Sequence, residues 1–354
     1  LRAVSDGPSL QRDVPTPWLV ESARAASPRT RRQAAETISR LANAEAAAAV
    51  VPLLVDTDPI VAHSAHYALV AMQADAVCLD ALGRTETPAA QKLAALRVLG
   101  QIHQPRVVDA LVARLATEPD AAMRQAVITA LCRLAQREGE WKGDSWGTRP
   151  DTTGPYYQPE SWEATDPIVA ALQAAIAKAN GAEALHLVRE LSRHRVPMKQ
   201  LAATLVTLAK GHPDVIPALV EQVAREGQTP LEAVPMLVIV ATAPETSPSL
   251  RSQAVVGLAR IDSPNVLTST LKALDALYAQ GKSAAEFPNS LQAVLNGPHL
   301  FRHVGRLREL SQGDNAAIAT WADAALVGVV LGTASSPEAR LSAQQALEAG
   351  NDQP

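Results

Sequence analysis

Apolar and polar positions along this chain follow the period of a helix, and the pattern itself recurs at a nearly fixed interval. Pro28, Pro59, Pro88 and Pro119 lie 31, 29 and 31 residues apart, each behind a capping or polar residue: Ser27, Asp58, Thr87 and Glu118. Six residues beyond the first three prolines stand Ala34, Ala65 and Ala94, and ten residues beyond them Ile38, Leu69 and Val98. The device returns downstream at Ser247-Pro248, with Ala254 and Leu258, and at Ser336-Pro337, with Ala343 and Leu347. Proline suits a first helical turn, where its missing N–H would be unpaired in any case. A Ser, Thr or Asp in front of it can accept from the free amides of that turn. A repeat of about 30 residues with constant phase predicts stacked helix pairs, each too small to bury its own apolar face.

The pattern predicts helices over 28–41, 45–55, 59–72, 75–82, 88–102, 105–116 and 119–137. After a break it predicts further helices from Pro167, then over 182–194, 198–210, 213–225, 230–241, 248–261, 266–279, 284–295, 299–310, 315–331 and 337–349. The second half keeps its proline phase only at Pro248 and Pro337 and is expected to be less regular. The resulting division is an irregular segment 1–14, repeats over 15–137, an insert 138–163 and repeats over 164–350. The fold class is all-α: a right-handed superhelix of antiparallel helix pairs carrying one loop insert. The surface offered to a partner is expected along the concave face, built from the second helix of each pair.

Composition agrees with small helices packed closely. Apolar residues make up 47% of the chain and aromatic ones only 3%, so the apolar content is mostly Ala, Leu and Val, which favour helix or let helices approach. The formal charge of -4 argues against nucleic acid as the principal partner. Glu21 and Glu36 interleave with the basic cluster of Arg24, Arg29, Arg31, Arg32 and Arg40, which reads as a solvated face or a partner contact. Cys78 and Cys132 lie on apolar helical faces and read as buried thiols. No apolar run approaches the ~20 residues of a membrane span. No signal peptide is visible, and the start at Leu1 suggests a processed product or a piece of a longer chain.

The insert, EGEWKGDSWGTRPDTTGPYYQPESWE, is rich in Gly, Pro and Asp and reads as an ordered loop. It holds Trp141, Trp146, Tyr156, Tyr157 and Trp162, five of the chain's eleven aromatics, which marks it as the candidate ligand or docking site. Asp144, Arg149 and Asp151 would be the hydrogen-bonding partners there. The alternative is a loop stapled onto the repeats by its own rings. His63 with His66, and His299 with His303, have spacings that could present two imidazoles to one metal, but neither pair carries the Glu of a hydrolytic zinc helix. Ordinary helix-surface histidines are the reading favoured for both. No nucleophile elbow, phosphate loop or cysteine metal motif is present, so no catalytic residue is assigned.

Units such as DPIVAHSAHYALVAM and PRVVDALVARLATEPDAAMRQAVITAL resemble HEAT repeats of the short bacterial type. The segment WKGDSWGTRPDTTGPYYQPESWEAT resembles one found within the HEAT region of planctomycete and verrucomicrobial membrane-bound dehydrogenase-like, haem-binding CxxCH proteins. In that family a sugar-dehydrogenase-like β-propeller precedes the repeats and a cytochrome c domain follows. This chain has neither a CxxCH motif nor a propeller signature, so the resemblance implies no cofactor here and haem only in a neighbouring domain or subunit. It implies a non-catalytic, extracytoplasmic or periplasmic scaffold in a redox assembly, with a cytochrome c and a β-propeller dehydrogenase domain as partners. A ligand- or carbohydrate-binding protein or enzyme centred on the insert, and a nucleic-acid-binding HEAT protein, are the alternatives.

Overall fold

A computed structural model describes residues 14–143, 157–179, 181–198, 201–227, 229–280, 287–297, 299–332 and 335–351. The chain divides into two compact units, Leu1–Met198 and Lys199–Pro354.

In the first unit the helices are α1 (Thr16–Ala23), α2 (Pro28–Arg40), α3 (Pro59–Ala71), α4 (Asp75–Gly83), α5 (Ala89–Leu99), α6 (Pro105–Thr117), α7 (Ala121–Leu134), α8 (Thr165–Ile176) and α9 (Gly181–Arg193). They form two rows. Helices α2, α3, α5, α7 and α9 each touch the next in one row, while α4, α6 and α8 do so in the other. The repeat phase read from the sequence is the phase of the core. Ala34, Ala65 and Ala94 are at most 1% exposed, and Ile38, Leu69 and Val98 are fully buried.

The second unit holds α10 (Leu201–Gly211), α11 (Ile216–Glu226), α12 (Val234–Thr242), α13 (Pro248–Ala259), α14 (Pro264–Gln280), α15 (Phe287–Leu295), α16 (Val304–Ser311), α17 (Ala316–Leu331) and α18 (Pro337–Asn351). One row runs α11, α13, α15, α17. Two glycines permit the close approach within it. A Cβ on Gly257 would stand 2.8 Å from Val223 Cγ1, and one on Gly328 would collide with the carbonyl oxygen of Leu295. Each unit is therefore an all-α, HEAT-like stack of helix pairs.

Several elements depart from the sequence reading. The helix expected over 45–55 is two short 3-10 turns, Ala47–Ala49 and Val51–Val55, because Pro52 cannot donate in the interior of an α-helix. At 213–215 and 231–233 the chain also turns as 3-10 before the α-helix begins, and Pro217 and Pro235 then occupy the first helical turns. The span expected as one helix over 299–310 is a 3-10 turn, Leu300–Arg302, followed by α16. Capping is also selective. Asp58, Asp120, Ser247, Asn315 and Ser336 accept from first-turn amides, whereas Ser27 makes no such bond and α5 starts behind Pro88 without a side-chain cap. The base of the insert, expected as loop alone, carries a two-residue antiparallel ladder, β1 (Arg137–Glu138) with β2 (Pro159–Glu160).

Candidate functional site: a cationic groove in the first unit

The row of α3, α5, α7 and α9 lines an open groove of about 940 Å³. Its floor is apolar, with Leu54, Leu93, Ala94, Leu96, Ala126 and Ala130. Small residues keep the floor low because consecutive helices nearly touch: a Cβ on Gly100 would lie 3.2 Å from Ala130 Cα. Most of the lining comes from the proline-phased helices α3, α5 and α7, where the sequence suggested the second helices; Leu54, Val55 and Asp56 at the end of the 3-10 turn Val51–Val55, and Arg193 and His194 at the end of α9, complete it. The second helices α4 and α6 lie in the opposite row and contribute nothing to it.

Polar groups rise from this floor at separate levels. On α3, His63 and His66 flank Tyr67, with ring centroids 4.7 and 5.3 Å from the phenol ring. His66 Nε2 lies 2.6 Å from the side-chain amide nitrogen of Gln101. Burial, then the positive charges of Arg97 and Arg133 and the neighbouring His63, push the His66 imidazole down to about 4. It is neutral at pH 7, so it can accept from that amide. Arg97, Arg133 and Arg193 also line the groove. Arg97 is exposed and has no ion-pair partner among the described residues. Asp56, the single carboxylate in the lining, is already held by Arg31 through contacts of 2.7 and 2.8 Å. That pairing holds the Asp56 carboxyl below the usual range, even though burial acts in the opposite direction.

At the α9 end, His194 lines the groove while only 2% of its side chain is exposed, and neither ring nitrogen makes a hydrogen bond of full geometry to the described residues. Its nearest charged neighbour is Glu190, at 3.5 Å. Burial would raise the Glu190 carboxyl, but His194, Thr129 and Arg193 together hold it low.

Of the residues singled out in the insert, Asp144, Trp146, Arg149, Asp151 and Tyr156 lie outside the described residues. Trp141 is 37% exposed, Tyr157 is half-buried, and neither lines the groove. Trp162 is a staple. Its indole N–H donates to the Leu134 carbonyl at 2.7 Å, and its ring meets His103 edge-on at 5.3 Å. Thr165 reinforces the anchor by accepting from the Trp162 amide and donating to the Ala135 carbonyl. This end of the insert is thus tied to the end of α7.

The two histidine pairs behave differently. His63 and His66 face the groove with Tyr67 between them. His299 and His303 lie on either side of a 3-10 turn and both reach Asp262, at 3.6 and 2.7 Å, where Arg302 also binds at 2.7 Å. Among the described residues no group of three or more His, Cys, Asp or Glu is placed to hold a metal ion. No helix among them is long and apolar enough to cross a membrane. Two members of the basic cluster at the start of the chain are spent internally: Arg31 binds Asp56, and Arg32 binds Glu36 at 2.7 Å.

Sequence reasoning missed Arg97, Arg133, Arg193 and His194. For Arg97 the signal was there, since it directly precedes Val98, the buried equivalent of Leu69 and Ile38. A residue one step from a core position lies on the flank beside the open face. For His194 no local pattern marks the site.

No protein-family model and no curated protein matches the chain. Known structures do. A structure of an engineered protein from the Northeast Structural Genomics Consortium is 17% identical with a TM-score of 0.40, covering 96% of this chain and 99% of its own. A homology model of the full-length AP-3 complex in an intermediate open conformation is 11% identical, with a TM-score of 0.47, covering 98% of this chain and 71% of that one. A structure describing Kap95p binding to RanGDP is 14% identical, with a TM-score of 0.43, covering 95% and 54%.

Proposed function

We propose that the chain is a non-catalytic helical-repeat scaffold that binds an extended segment of a partner protein along the groove of its first unit. The observation that carries this reading is the groove itself: an open, apolar-floored channel of about 940 Å³ running across four consecutive helices of one row. Successive packed helices lie about 8–10 Å apart, so four levels span roughly 30 Å. An extended peptide advances ~3.3 Å per residue, which fits about nine or ten residues into that span. Apolar floor with polar groups at intervals suits alternating side chains of such a segment.

The test is selection from a displayed random-peptide library against the full chain. Peptides should enrich and should lose binding when Ala126→Arg fills the floor, with helicity unchanged. No enrichment, or enriched peptides indifferent to Ala126→Arg, contradicts the reading.

The resemblance of the insert supports placing this scaffold in an extracytoplasmic redox assembly, with cytochrome c and β-propeller dehydrogenase-like domains as partners that carry the haem. Isolation of the tagged protein from its own host tests this: a haem-bearing partner outside the cytoplasm is expected, and a cytoplasmic protein without haem-bearing partners is the contrary result.

A further inference from the structure

We propose that the segment occupying the groove is acidic, its carboxylates held over Arg97 and Arg193. This rests on the groove reading given above and adds the partner's chemistry to it. Charge complementarity is the argument. The lining holds Arg97 and Arg193 beside Arg133, and its one carboxylate, Asp56, is already bound to Arg31 outside the lining. Arg97 is exposed and has no ion-pair partner among the described residues, and Arg193 meets Glu190 at 3.7 Å with 61% of its side chain exposed. These two guanidiniums present donors that nothing else in the first unit's groove fully uses. Each offers a planar fork suited to a carboxylate. His194 adds an independent sign: an imidazole almost wholly buried and lining the groove, whose Nε2 meets Glu190 at 3.5 Å while its Nδ1 has no hydrogen-bond partner among the described residues. Buried polar groups are normally paired, and a ligand's polar group at the groove wall would satisfy that Nδ1.

The same cations could attract a nucleic acid, but the floor speaks against it. Val55, Leu93 and Ala126 leave apolar surface between the charges, where a phosphate backbone needs a continuous basic track. Apolar side chains interspersed with Asp or Glu match both features.

The experiment is fluorescence anisotropy on the full chain with three synthetic peptides of equal length. One alternates Leu or Ala with Glu, the second replaces Glu with Gln, and the third replaces it with Lys. A single-stranded oligonucleotide is the fourth probe. The acidic peptide should bind at least about tenfold tighter than its Gln counterpart at low salt, with the advantage falling as salt rises. Arg97→Glu should remove most of that advantage, and Arg29→Glu, the same charge change on the exposed surface away from the groove, should leave it intact. Arg97 is exposed, so the variant is expected to fold, and Arg193→Glu gives an independent second reading. Equal binding of the acidic and Gln peptides, or preference for the Lys peptide, overturns the charge assignment while leaving the groove reading standing. Tighter binding of the oligonucleotide also overturns it. Failure of every peptide to bind overturns the groove reading and this inference with it.

Discussion

Arg31 and Asp56 join successive levels of the first unit through a two-pronged contact, Nε to Oδ2 at 2.7 Å and Nη2 to Oδ1 at 2.8 Å. The same guanidinium donates to the carbonyls of Ala25 and Ala26 at 3.0 and 2.8 Å, so one side chain ties the turn before α2 to the turn before α3. Arg106 with Asp75 and Arg124 with Glu183 repeat the device at other levels. Paired bonds of this geometry fix register between repeats. Arg31→Met keeps the aliphatic stem but leaves the buried Asp56 carboxylate unpaired. It is expected to lower the melting temperature by several degrees, more than Arg29→Met does on the same helix. Equal effects from both would mean that the contact fixes nothing.

Close packing between levels makes the second prediction. Ala65 is fully buried at the position where α3 meets its neighbours. Ala65→Leu should cost about 1–3 kcal/mol by overpacking, read from urea denaturation. Gly328→Ala in the second unit should be destabilising in the same range, since its Cβ would meet the Leu295 backbone and not a movable side chain. Unchanged stability in either variant would mean the helices stand farther apart than described.

Particular residues show how much was legible in advance. Ala34, Ala65 and Ala94 gave the stack because burial in a repeat protein is local: each level repeats the environment of the last. The turns at 47–55 were misread because a single proline, Pro52, decides between α and 3-10 where the apolar pattern suits both. The candidate site was harder. The aromatic insert drew attention by composition, yet Trp162 uses its ring and its N–H to hold the chain to α7. The groove is assembled from residues 36 and 60 positions apart, Arg97 with Arg133 and Arg133 with Arg193, and no motif links them. Only stacking brings them to one face.

Acid should destabilise the first unit in a defined window. The folded-state value for His66 is about 4 against an ordinary 6.5, so between these pH values the unfolded chain takes up a proton that the folded chain refuses. Stability therefore falls as pH drops from about 6.5 through about 4, and that loss then stops growing. His103, lowered chiefly by burial, acts in the same direction. His66→Gln should flatten the dependence of melting temperature on pH in this window. A slope identical to that of the parent protein would show that His66 does not set it.

The thiols report on the core. Burial pushes the Cys78 thiol up to about 12, with the Asp75 carboxylate adding to it, and holds the Cys132 thiol well above its ordinary range. Thiolate is the reactive form, so neither cysteine should react with a disulfide reagent at pH 8 while the chain is folded. Both should react in denaturant. Rapid modification of either in the folded protein would place it at the surface.

The measurement that bears most directly on the groove is photo-crosslinking with a peptide recovered from the library selection. A photoreactive phenylalanine analogue replaces Tyr67, whose half-exposed ring lines the groove, or Asp109 on the exposed side of α6 in the opposite row. A covalent adduct at position 67 and none at 109 is the expected result. Adducts at 109 with position 67 silent would put the partner on the other row and contradict the assignment of the groove.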